Sequence, residues 1–153
     1  MKNILYVLKF IGLFIWQLPQ NILALLMLLW FFMMHYDTKF MMTKRCSFVF
    51  KTKGVVASVS LGSFVFIKWK HSDRKEIIQH ELGHVWWSHV FGPLYLIIIG
   101  LPSLLWNISR KGLGFVNYYE FYPEKWANKK GGVIDYELRN NVFYIKVIKD
   151  ILS

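Results

Sequence analysis

Residues 73–91 of the chain read DRKEIIQHELGHVWWSHVF, and no other stretch has such clear local structure. Asp73 is a predicted N-cap, and Glu76 three residues later completes a capping-box pattern. We therefore predict one α-helix that runs from this pattern to Gly92-Pro93, where the glycine and the proline end it.

Two histidines lie four residues apart within this helix. The spacing places His80 and His84 on one helix face, so both imidazoles can bind one metal ion. Glu81, beside the first histidine, can reach a water molecule that the metal activates, which makes it a candidate general base. The alternative is that both histidines are ordinary residues on a helix surface, with Glu81 solvated next to them. Uncharged flanks favour the metal site: Ile77, Ile78, Leu82, Gly83, Val85 and Trp86.

The motif supplies two protein ligands, and a zinc site needs a third. The extended form HExxHxxGxxH is excluded, because Trp87 and Val90 stand where its glycine and last histidine would be. His89 follows His84 by five residues and therefore points to another face of the helix. Another class of zinc peptidases takes its third ligand from a glutamate on a later helix, and this chain has candidates for such a residue.

Glu124 is the predicted third ligand, and Glu120 is the competing candidate. A short helix is predicted over EKWANKK, with Pro123 at its start and Gly131-Gly132 at its end. The proline holds the backbone just before Glu124, whereas Glu120 precedes it in a less defined stretch. An acid in the first turn of a helix can also be present only because the helix dipole favours it.

The composition predicts a protein that contacts lipid. The chain has 153 residues, which favours a single domain, and 55% of them are hydrophobic. Only 18% are charged, where about 25% is usual. Disorder is excluded, and so small a soluble monomer could not bury this much apolar surface. Because Cys46 is the only cysteine, an intramolecular disulfide and a cysteine zinc cluster are excluded as well.

Two segments are candidates for the membrane. Residues 4–34 carry Lys9 as their only charge and are long enough for one tilted helix, but Gln17-Leu18-Pro19-Gln20-Asn21 interrupts them. The interruption predicts either a kink or the turn of a helical hairpin, within an uncleaved anchor. Residues 90–106 are uncharged, short and broken, which fits either a full crossing or a membrane-dipping segment. Because Glu124 has to reach His80 and His84, we expect the dipping segment, with its turn near Gly100-Leu101-Pro102.

The net charge of +10 is concentrated in the segments outside these apolar stretches. Since no nucleic-acid-binding motif accompanies it, we expect basic loops on the cytoplasmic face of a membrane and no nucleic-acid partner. Between the basic residues, the β-branched and aromatic runs 47–50, 55–60 and 64–67 predict a small antiparallel sheet. The strand at 64–67 is the predicted edge for an extended peptide.

Asn128 lies four residues after Glu124 and shares its helix face. HELGH at 80–84 followed by ExxxN at 124–128 resembles the gluzincin pattern HExxH…ExxxD of membrane peptidases. These include the CAAX prenyl proteases and the bacterial heat-shock membrane protease. The segments HELGH, PLYL (93–96), GLPS (100–103) and FYPEKWAN (121–128) are also similar to those of small bacterial membrane proteins.

This resemblance implies roles for the later residues. Glu124 would be the third zinc ligand, and Asn128 would contact a zinc histidine in place of the aspartate. The amide oxygen can still accept a hydrogen bond from the imidazole, but it lacks the charge that raises ligand basicity, so weaker metal binding or loss of activity is an open alternative.

The sequence thus predicts an α+β membrane protein with an anchor over 1–36 and a zincin-like domain over 37–153. We expect an integral membrane zinc metallopeptidase in which His80, His84 and Glu124 bind Zn²⁺ and Glu81 is the general base. Its expected partners are membrane lipids and a peptide or protein substrate. The alternatives are a zinc-binding membrane protein without activity and a membrane structural or interaction protein.

Overall fold

The computed structural model of the chain describes residues 2–109 and 121–133, and within these ranges it has five α-helices and a four-stranded sheet. The helices are α1 (Lys2–Trp16), α2 (Leu18–Met33), α3 (Lys75–Phe91), α4 (Leu101–Ser109) and α5 (Tyr122–Gly131). The strands are β1 (Thr38–Lys44), β2 (Ser47–Thr52), β3 (Val59–Leu61) and β4 (Phe64–Lys68). Short 3₁₀ turns at Trp69–His71 and Gly92–Leu94 and a π-helical turn at Leu96–Gly100 complete these elements. The predicted α+β class is confirmed.

The sheet is mixed, so the prediction of an antiparallel sheet is wrong. Its strand order is β1-β2-β4-β3, with β2 and β4 parallel and the outer pairs antiparallel. After β2 the chain leaves room for one strand and forms β3 at the far edge of the sheet. It then turns back and forms β4 in the space between β3 and β2. β4 is consequently an inner strand with both neighbours paired, which is why nearly all of its side chains are buried. The predicted peptide-binding edge at 64–67 is therefore wrong, and the edges are β1 and β3.

The two faces of β4 pack against different helices. Val65 and Ile67 lie in one apolar cluster with Ile78 and Leu82 of α3. Phe64 and Phe66 lie in a second cluster with Ala24 and Phe31 of α2. Because successive side chains of a strand point to opposite faces, one continuous apolar run serves both clusters. The sheet therefore lies between α2 and α3.

The interruption at residues 17–21 is a sharp bend, and α1 and α2 meet at 86°. Gln17, Gln20 and Asn21 are fully buried in this bend. Asn21 Oδ1 accepts a hydrogen bond from the backbone N–H of Ser63 at 2.7 Å, and Gln20 Nε2 donates to the carbonyl oxygen of Gly92 at 2.5 Å. These bonds attach the bend to the β3–β4 turn and to the end of α3, because buried amides need partners.

Among the described residues, none of the helices has by itself the length and apolar character required to cross a membrane. Two pairs of helical segments have the required length and apolar character when they are taken together, but each pair is bent. The pairs are Ile4–Trp16 with Leu18–Met33, and Lys75–Leu94 with Leu96–Ser109, the second bent by 120°. The second bend lies between Leu94 and Leu96, so the turn predicted near Gly100 is in the wrong place. Gly92 precedes it with a φ of 51°, and a side chain there would overlap the indole of Trp16.

The predicted start of α3 is wrong, whereas the predicted α5 is confirmed. Arg74 is the N-cap of α3 and makes no side-chain capping bond. Its N–H donates to the carbonyl of His71, and its own backbone has the extended N-cap conformation, so the helix begins one residue after the predicted cap at Asp73 would start it. In α5, Pro123 lies in the first turn and Gly132 ends the helix in the left-handed region with a φ of 79°.

Candidate metal centre

The site is formed where α3 and α5 cross with their backbones in contact. A Cβ atom added to Gly83 would lie 1.9 Å from the carbonyl oxygen of Ala127, and one added to Gly131 would lie 2.2 Å from that of Gln79. Only glycine permits so close an approach at these positions. The crossing places the first turn of α5, with Glu124, beside the histidine-bearing face of α3.

Three candidate ligand atoms converge at this crossing. Glu124 Oε2 lies 3.1 Å from His80 Nε2 and 3.6 Å from His84 Nε2, and the three atoms all lie within 4.8 Å of one another. Donors held at about 2.1 Å from a tetrahedral ion are about 3.4 Å apart, which agrees with the two shorter separations. His80, His84 and Glu124 therefore form a group that could hold a metal ion.

Neighbouring side chains hold two of these ligands in place. Asn128 Oδ1 lies 2.7 Å from His80 Nδ1, which requires the N–H of this imidazole at Nδ1. Ser103 Oγ, from α4, donates a hydrogen bond to Glu124 Oε1. These contacts turn the lone pair of His80 Nε2 and the other oxygen of Glu124 toward each other.

Glu124 Oε2 is the atom of the site whose negative charge most needs a neighbouring cation. It is buried and has no hydrogen-bond partner within the described ranges, although Glu124 is completely enclosed. With the proton of His80 at Nδ1, a carboxylate oxygen would face an imidazole lone pair at 3.1 Å. Such an arrangement is repulsive unless a second proton or a metal ion lies between the two atoms.

The pKa shifts at the site follow from the same geometry. Burial raises the pKa of Glu124, but the imidazoles of His80 and His84 that face its carboxylate outweigh this effect and hold the pKa well below the usual range. Burial lowers the pKa of His80, but Glu124, Glu81 and Asn128 together raise it above its ordinary value. The site therefore keeps a buried carboxylate ionised and attracts positive charge.

Glu81 lies beside the cluster and is held by the sheet. It is buried, and its Oε2 accepts a hydrogen bond from Ser60 Oγ at 2.8 Å. Ser60 belongs to β3, the edge strand of the sheet on the side of α3. The carboxylate of Glu81 therefore lies against β3, an edge strand of the described sheet.

Other predicted candidates lie elsewhere. Glu120 is outside the described residues. The structure therefore places Glu124 beside the two histidines but does not compare it with Glu120. His89 does not join the cluster, as its spacing predicts. Sequence reasoning missed Ser103 and Ser60, which contact the site only through the tertiary fold. It also missed the role of Gly83, although this glycine lies inside the motif.

No protein family, curated protein or solved structure matches the chain. The gluzincin resemblance consequently rests on the motif residues themselves.

Proposed function

We propose that the chain is an integral membrane zinc metallopeptidase in which His80, His84 and Glu124 bind Zn²⁺. The observation that carries this proposal is the buried Glu124 Oε2, which faces both imidazoles without a hydrogen-bond partner within the described ranges. Two histidines and one glutamate are a donor set that zinc prefers and that catalytic zinc sites use, with a fourth position left open.

The residues around the ligands have distinct tasks in this mechanism. A bound zinc ion would lower the pKa of water and polarise the carbonyl group of the substrate. Glu81 accepts the proton of the attacking water and passes it to the leaving amine. Asn128 keeps His80 in the tautomer whose Nε2 can ligate, and Ser103 orients the carboxylate of Glu124.

The edge strand β3 is the proposed site for the substrate backbone. Ser60 of this strand is hydrogen-bonded to Glu81, so a peptide paired with the edge would pass close to the general base. Extended peptides commonly bind by adding a strand to an open sheet edge. A peptide or protein substrate in an extended conformation fits this arrangement.

A membrane location is proposed from the apolar residues that the fold leaves exposed. Large apolar side chains on α1, α2 and α4 are open to solvent, and Phe32 is 79% exposed. Exposed apolar surface of this extent is typical of contact with lipid. If the basic segments face the cytoplasm, cysteines introduced at Lys53 and Lys130 should both be labelled from that side of an inner membrane.

The proposal is tested first by metal content. The full chain purified in detergent should carry about one zinc ion per chain, and a His80→Ala/His84→Ala variant should carry almost none. Equal zinc in both proteins would refute the metal site.

Activity is tested separately with a peptide library read by mass spectrometry. Glu81→Gln should retain zinc but lose hydrolysis, because the amide cannot accept the proton. Glu76→Gln, on an exposed position of the same helix, is the matched control and should cleave as the wild type does. Cleavage by Glu81→Gln at the wild-type rate would contradict its role as general base.

A zinc-binding membrane protein without activity is the second candidate. The amide at Asn128, where the resembling peptidases have a carboxylate, is the observation that favours it. Zinc bound by His80, His84 and Glu124 without any hydrolysis of the library would support this candidate.

A further inference from the structure

A cavity of about 570 Å³ lies apart from the metal ligands, between α1, the β1–β2 turn, α3 and α5. Its lining carries three permanent cations: Lys9 from α1, Arg45 from the turn and Lys130 from α5. Among the residues that the structure describes, no acidic side chain lines the cavity, and none of the three cations forms an ion pair with an acid. Three like charges on one lining repel one another, so the cavity attracts an anion.

Two of the three cations, Arg45 and Lys130, are held in place by contacts with neighbouring residues. Arg45 Nη1 donates to the carbonyl oxygen of Lys130 at 3.1 Å, and Lys130 Nζ lies 3.9 Å from the ring centre of Trp86. Neither contact neutralises a charge. An arginine with further N–H groups available beside two ammonium groups suits a phosphate, which offers several acceptor oxygens.

The backbone of the β1–β2 turn is strained at the residues that line the cavity. Arg45 and Cys46 have φ angles of 51° and 55°, in the left-handed region, although neither is glycine or asparagine. A two-residue hairpin turn of this kind usually contains Asn-Gly. Strain that persists at residues lining a cavity indicates a functional constraint on them.

Two further residues of the lining indicate the chemistry of the ligand. His89 also lines the cavity and brings no negative charge to it. Leu13 and Trp86 add an apolar wall, and the volume exceeds that of a phosphate ion alone. The cavity therefore suits a phosphate that carries an organic group.

We propose that this cavity is a binding site for a phosphate ester, which either a phospholipid headgroup or a soluble phosphate monoester could provide. Lys9, Arg45 and Lys130 bind the phosphate oxygens, and Trp86 with Leu13 contacts the esterified group. Lys9 is also the only charge between residues 4 and 34, and a charged residue in such an apolar segment needs an anionic partner if the segment contacts lipid.

The test is a titration of the full chain in a non-ionic detergent with three probes. These are dihexanoyl phosphatidylglycerol, sn-glycerol 3-phosphate and inorganic phosphate, and binding is followed by calorimetry. The wild type should bind at least one of the two esters more tightly than inorganic phosphate. A Lys9→Gln/Arg45→Gln variant should bind that ester at least about tenfold more weakly, because two charge-assisted contacts are lost.

A matched control loses the same net charge outside the cavity. Lys44→Gln/Lys129→Gln changes exposed neighbours of Arg45 and Lys130 and should bind like the wild type. If the double variant at the cavity is not recovered in a folded form, Lys9→Gln alone replaces it, since Lys9 is exposed, and Lys9→Arg should restore binding.

Each outcome decides between the sources or overturns the proposal. Tighter binding of the phosphatidylglycerol than of glycerol 3-phosphate identifies a lipid headgroup, and the opposite order identifies a soluble ester. If neither ester binds more tightly than inorganic phosphate, the proposal is overturned. Equal weakening by the cavity pair and the control pair would overturn it too, because the effect would then be one of net charge.

Discussion

Replacing Gly83 by alanine tests whether the α3–α5 crossing creates the metal site. The new Cβ would lie 1.9 Å from the carbonyl oxygen of Ala127. Because a carbon and an oxygen in contact stay about 3.3 Å apart, α5 would have to move away by about 1.4 Å. Metal sites tolerate misplacement of only about 0.5 Å, so Glu124, one turn before Ala127, would no longer reach both histidines.

The expected result is a loss of both metal and stability. Zinc affinity, measured by competition with a chelator, should fall at least about a hundredfold, comparable to the upper range for lost supporting contacts. The overlap with the backbone should also reduce the free energy of unfolding by about 1–3 kcal/mol. The secondary structure, followed by circular dichroism, should persist at low temperature.

Gly12→Ala is the matched control. A Cβ atom at Gly12 would meet nothing within 4 Å, so the same methyl group is added to a helix without any overlap. This variant should bind zinc as the wild type does and should be slightly more stable, since alanine favours the helix. If Gly83→Ala bound zinc as tightly as Gly12→Ala does, the site would not depend on the close crossing, and the reasoning would be refuted.

Three further substitutions examine the ligands and their supports. Ser103→Ala should weaken zinc binding about tenfold because Glu124 loses its orienting bond, whereas the exposed Ser109→Ala on the same helix should not change it. Glu124→Ala should reduce zinc affinity far more than Glu120→Ala, and the opposite order would show that the third ligand is misassigned. Asn128→Asp should bind zinc at least as tightly as the wild type, since a carboxylate raises the basicity of the ligating imidazole; a weaker site would contradict the proposed contact with His80.

The errors of the sequence-based predictions concern features that depend on distant residues. Strand 64–67 is recognisable from its β-branched and aromatic residues, but its neighbours are not, because pairing is decided by how the whole sheet is assembled. β1 was not predicted, because its sequence TKFMMTK has four polar or basic residues and little apolar alternation. The crossover that makes β2 and β4 parallel leaves no local pattern in the sequence.

The polar interruption at residues 17–21 shows a similar limit. Its composition correctly indicates a break in the apolar segment, since proline and several amides cannot continue such a helix unchanged. The bend of 86° follows from contacts with Ser63 and Gly92, which lie far along the chain. The sequence therefore predicts that the helix breaks, whereas the tertiary structure determines its direction.

The sequence by itself determined the local geometry of the candidate site. The four-residue spacing of His80 and His84, and that of Glu124 and Asn128, places each pair on one helix face because the helical repeat is local. Only the tertiary structure decided that the two faces meet. That meeting depends on the contact of Gly83 with Ala127 and on the bond from Ser103, which join residues far apart in the chain. Such contacts form only when folding has brought distant segments together, so the local periodicity of the sequence does not predict them.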